Sequence, residues 1–65
     1  MSKLRKQVET FNKYSSDHML LIEKAEEYFE LQINDTVITV GDYNDIYDRI
    51  RGINRENGYT YLEEW

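Results

Sequence analysis

No cysteine occurs in this chain of 65 residues. One hydrophobic core in a domain of that size rarely supplies more than about 3–5 kcal/mol of net stability, so small domains commonly add disulfides or a structural metal. Without thiols there is neither a disulfide nor a thiolate metal site. A single histidine, His18, excludes an all-imidazole zinc site. Close packing or self-association must therefore hold the chain together. Apolar residues make up 40% of it, enough for one core, so residues 1–65 are read as a single small domain. The longest apolar run, Met19-Leu20-Leu21-Ile22, is far below the ~18–20 residues of a membrane span. The basic start, Met1 to Lys6, precedes no hydrophobic stretch and does not read as a signal peptide. The expectation is a cytoplasmic protein with no membrane partner.

Proline is absent and glycine occurs only at 41, 52 and 58, so the chain reads as ordered elements joined by short turns. Leu4, Val8 and Phe11 recur at helical spacing, and Ser15, His18, Ile22, Ala25 and Phe29 continue the series at alternating steps of three and four. Two readings stay open: one long helix with a heptad seam, or a break at Ser15-Ser16-Asp17, where side chains compete for backbone hydrogen bonds. Either way residues 18–30 are expected as an amphipathic helix. His18, Leu21, Ile22, Ala25 and Phe29 would share one face, with Glu23, Glu26, Glu27 and Glu30 opposite.

After that the period falls to two. Phe29, Leu31 and Ile33 alternate with polar residues, and Thr36-Val37-Ile38-Thr39-Val40 is rich in β-branched side chains. A two-residue turn at Asn34-Asp35 predicts a hairpin pairing Ile33 with Thr36, Leu31 with Ile38 and Phe29 with Val40, all on one face. Asp42 reads as a helix N-cap, with Asp45 three residues on. Tyr43, Ile46, Tyr47, Ile50 and Ile53 form that helix's apolar face, and Asn57-Gly58 ends it. Tyr59-Thr60-Tyr61-Leu62 alternates again and reads as a short third strand. The expected fold is α+β, in the order α-α-β-β-α-β, with an antiparallel hairpin and helices packed on one face.

No constellation for chemistry emerges. Asp42, Asn44 and Asp45 begin like a calcium loop but fail from the fifth position onward. His18 lacks a nucleophile or orienting partner in the sequence pattern, and no serine elbow or phosphate-cradling glycine loop is present. No catalytic residue, metal ligand or cofactor is expected. Aromatic residues crowd the end of the chain, where Tyr59, Tyr61 and Trp65 have little sequence left to cover them. Either core packing or a protein interface would use them.

Charge is divided unevenly. Residues 1–16 hold four cations against one acid, a net of +3, and residues 17–65 hold four against twelve, a net of −8, in accord with the chain's −5. Such a chain is repelled by free nucleic acid and attracted to basic surfaces. Carboxylates one helical turn apart, as Glu23, Glu26, Glu27 and Glu30 would be, approach the charge spacing of a nucleic-acid strand. In size, acidity and lack of catalytic apparatus the chain is similar to the small inhibitors that phages and mobile elements direct against host enzymes, such as anti-CRISPR and anti-restriction proteins. That likeness carries no residue-level motif. It implies a non-enzymatic inhibitor that docks an acidic helix into the basic groove of a nucleic-acid-handling enzyme. The expected contact residues are Glu23, Glu26, Glu27, Glu30, Tyr59, Tyr61 and Trp65. The alternative is a self-associating structural or regulatory module, a homodimer built on the seam from Leu4 to Phe29.

Overall fold

A computed structural model describes residues 3–62. The first helix, α1 (Lys3–Tyr14), turns Leu4, Gln7, Thr10 and Phe11 inward. It stops where serine and aspartate offer the backbone other partners. Ser15 donates its N–H to the Phe11 carbonyl at 2.9 Å, and the Asp17 N–H turns to the Ser15 hydroxyl at 3.0 Å.

Beyond the break the expected second helix is absent. Met19–Ala25 forms a strand, β1, which pairs antiparallel with β2 (Tyr28–Ile33). Short apolar runs such as Met19–Ile22 suit a strand as well as a helix, and periodicity alone does not separate the two. A helix over 18–30 would be near the length at which isolated helices are marginal, and it would set Glu23 against Glu27, and Glu26 against Glu30, one turn apart. Pairing with β2 instead satisfies the backbone groups of Leu20 and Ile22 and turns Met19 and Leu21 inward. Leu4, Val8 and Phe11 therefore do not continue into Ile22, Ala25 and Phe29, and the seam behind the expected homodimer is not one helix.

The hairpin of β2 and β3 (Thr36–Gly41) forms about Asn34-Asp35, both with positive φ, +51° and +69°. Ile33 faces Thr36 as expected. The register then slips: Leu31 faces Thr39 and Phe29 faces Gly41, with Ile38 as the extra residue of a bulge. The slip brings Gly41 to the inner place beside the start of the next helix, where a Cβ would lie 2.8 Å from Oδ2 and 3.0 Å from Cβ of Asp45. Val40 consequently turns outward.

That helix, α2 (Tyr43–Glu56), carries its expected N-cap, with Asp42 Oδ1 accepting from the Asp45 N–H at 3.0 Å. It buries Ile46, Ile50 and Asn54. Asn57 closes it, and Gly58 follows at φ +79°. The expected third strand at the chain's end is instead a single helical turn, α3 (Tyr59–Leu62). Four alternating residues are too few to hold a strand against tertiary packing, and as a helical turn Tyr59 seats its ring on Phe11 and Tyr14.

The described fold is α+β, in the order α1-β1-β2-β3-α2-α3, around an antiparallel sheet ordered β1-β2-β3. Helix α1 packs on β1 and α2 on β2 and β3. The core of Leu4, Phe11, Met19, Leu31, Ile46 and Ile50 lies between helices and sheet.

Candidate interaction surface

Because both long helices lie on the inner side, the other side of the sheet faces solvent. Strand alternation and the observed register place Leu20 and Ile22 of β1, Tyr28, Glu30 and Gln32 of β2, and Val37 and Val40 of β3 there. Two rows cross the sheet, Leu20-Gln32-Val37 and Ile22-Glu30-Val40, each with a polar residue between two apolar ones. Down the middle, Gln32 donates from Nε2 to Oε2 of Glu30 at 2.7 Å. Leu20, Tyr28, Val37 and Val40 are each 43–48% exposed. The solvated face of an antiparallel sheet is ordinarily polar, whereas five of these seven residues are apolar or aromatic.

Glutamates expected along one helix face lie instead about the β1–β2 connection. Glu23 is on β1 across from Phe29, on the inner side but exposed beyond the helices. Glu26 and Glu27 form the turn, Glu27 with φ +55°. Glu30 is on the outer face. The four are thus gathered at one end of the sheet without making a single stripe. Sequence reasoning had no means of adding Asp42 and Asp45 to this end. They reach the same end because Glu23 faces Phe29, which faces Gly41, so the start of α2 lies at this end of the sheet, across β2 from Glu23.

The aromatic trio separates. Tyr59 is half-buried, its ring 6.0 Å from Phe11 edge-on and 5.8 Å from Tyr14 in a stacked arrangement. Tyr61 is 82% exposed, and Trp65 lies outside the described residues. His18 stands at the opposite end of the sheet from the acids. Its N–H donates to Oδ1 of Asn34 at 3.0 Å and its carbonyl accepts from the Asn34 N–H at 2.9 Å.

Along its free edge β1 is flanked by α1, and a groove between them is lined by Arg5, Val8, Glu9, Asn12, Met19 and Leu21. At one end of this groove Asn12 grips the strand, its Oδ1 accepting from the Met19 N–H at 2.6 Å and its Nδ2 donating to the Met19 carbonyl at 2.9 Å. Among the described residues no three His, Asp or Glu side chains are grouped to hold a metal, and no helix is long and apolar enough to cross a membrane. Comparison with protein-family models, with curated proteins and with solved structures finds no match to this chain.

Proposed function

We propose that the chain is a non-catalytic interaction module that docks on a basic surface of a partner protein, in the manner of a small acidic inhibitor. The observation that carries this reading is the outer sheet face, apolar at Leu20, Val37 and Val40 and bordered by the acidic β1–β2 connection. The apolar side chains flank the polar pair Glu30–Gln32 on the central strand, and protein interfaces likewise combine apolar surface with polar and charged groups. The sign of the acidic border favours a basic partner, and electrostatic steering of this kind raises association rates. A nucleic-acid-handling enzyme offers such a surface, and its occupation by a carboxylate-rich hairpin would inhibit it.

A parallel capture experiment tests the proposal. The parent and a Glu26→Lys/Glu27→Lys variant are immobilised, exposed to the same cell extract at low and high salt, and the retained proteins are quantified. The expected result is a partner of basic surface held by the parent, released by salt and lost from the variant. A partner retained equally by both would overturn the acidic docking surface.

A further inference from the structure

We infer that the open edge of β1 receives an extended segment of a partner protein as a fourth strand, and that this segment carries a basic residue two places from an apolar one. The inference rests on the reading of the chain as an interaction module and names how a partner would be held.

On an antiparallel ladder, successive residues direct their backbone groups to opposite sides. The His18 carbonyl bonds to Asn34 across the sheet, while the Met19 backbone turns the other way to Asn12. Leu20 and Ile22 therefore bond to β2, and Leu21 and Glu23 direct N–H and C=O away from it. Among the described residues β1 is an outer strand of the sheet, and nothing pairs with those four groups. Both outer strands carry a bulge, a common protection of an exposed edge: on β3 it falls in mid-strand, at Ile38, and on β1 it falls at the end, between Glu23 and Ala25. On β1 the first edge-directed residue, Met19, is capped by the Asn12 amide, which leaves a short regular template at Leu21–Glu23.

Addition of a strand to such an edge takes its affinity from main-chain bonds and its specificity from alternate side chains. A residue placed across from Leu21 sends its side chain into the groove against Val8 and Leu21, which Arg5 and Glu9 also line. An apolar side chain suits that place. The next residue lies on the outer face beside Ile22. The one after it faces Glu23, near the Glu26-Glu27 turn, where the surrounding carboxylates select lysine or arginine.

A second copy is the poorer occupant. In the sheet α1 packs on β1 and on neither other strand. Antiparallel pairing of β1 with its mate would set two such helices over strands about 4.8 Å apart, well inside the 8–10 Å that packed helices require, and parallel pairing, which would put them on opposite faces, is the less stable ladder.

The test is selection from a phage-displayed library of random linear decapeptides against the immobilised protein. Binding of the enriched peptides is then measured to the parent and to a chemically synthesised chain with an N-methylated Leu21 amide. That N–H points away from β2, so methylation leaves the thermal transition near the parent's. Enriched peptides are expected to place Lys or Arg two residues from Leu, Ile or Val, and methylation is expected to weaken them about tenfold or more through the lost hydrogen bond and added bulk. Absence of enrichment, or peptides indifferent to methylation, would overturn the edge site. If the methylated chain does not fold, Glu23→Lys carries the test: selected peptides then exchange Lys or Arg for Asp or Glu, and an unchanged preference overturns the proposal. Because Glu26 and Glu27 are intact throughout, failure here is distinct from failure of the acidic docking surface.

Discussion

Asn54 of α2 and Gln7 of α1 tie the two long helices together in the interior. Nδ2 of Asn54 donates to the Gln7 carbonyl at 3.0 Å and to Gln7 Oε1 at 2.9 Å, and Asn54 has no exposed surface. Buried polar groups lose more when one partner is removed than when both are replaced by apolar ones. Asn54→Ala is therefore expected to lower stability by about 1–3 kcal/mol. The double change Gln7→Leu/Asn54→Leu is expected to regain most of that loss. A double-mutant cycle in urea, with Gln7→Leu and Asn54→Leu as single variants, checks the coupling.

Gly52 lies inside α2, where glycine costs about 0.5–1 kcal/mol relative to alanine through backbone entropy. A Cβ built there meets nothing within 4 Å. Gly52→Ala is expected to raise stability by about 0.5–1 kcal/mol, read as a shift of the urea midpoint with unchanged slope. A loss of stability would mean that a side chain at position 52 does not enter the open space seen there.

Within the turn joining β2 and β3, two adjacent residues with the same backbone strain are expected to respond oppositely to glycine. Asp35, at φ +69°, gains relief from the left-handed conformation, and Asp35→Gly is expected to stabilise by about 0.5–1 kcal/mol. Asn34, at φ +51°, also accepts from the His18 N–H and donates to Asp17 Oδ1 at 2.8 Å. Asn34→Gly removes both bonds and is expected to destabilise by about 1 kcal/mol. Thermal unfolding of the two variants side by side measures the contrast.

Local signals were legible where the chain decides its own conformation. Ser15-Ser16-Asp17 ends α1, Asn34-Asp35 turns the hairpin and Asp42 caps α2, each through side-chain or backbone chemistry confined to a few neighbours. Residues 19–25 were not legible as a strand, because Met19–Ile22 serves either period and the choice is made by β2, a partner the helical pattern does not reveal. The outward turn of Val40 was hidden for a related reason. It follows from the bulge at Ile38, which shifts β3 by one residue against β2 and is not signalled by the turn at Asn34-Asp35. The glutamates illustrate the consequence for the candidate site: they do cluster, but around a turn and with Asp42 and Asp45, on a different surface from the helix stripe their spacing implied.

Tyr59 and Tyr61 share an expectation in sequence, aromatic residues with little chain left to cover them, and the structure divides their roles. Tyr59 packs its ring against Phe11 and Tyr14, and α1 is further joined to this turn by the Tyr14 hydroxyl, which donates to the Leu62 carbonyl at 3.3 Å. Removing the Tyr59 ring takes away apolar burial and two aromatic contacts, so Tyr59→Ala is expected to destabilise by about 2–3 kcal/mol. Tyr59→Phe keeps the ring contacts and is expected to stay within about 1 kcal/mol of the parent. Tyr61 contributes almost nothing to the interior, and Tyr61→Ala is expected to change stability by no more than about 0.5 kcal/mol. Urea unfolding of the three variants, followed by near-ultraviolet circular dichroism, separates these cases. Equal losses at both tyrosines would show that the final turn is held through Tyr61 as well, which would remove it from the residues available to a partner.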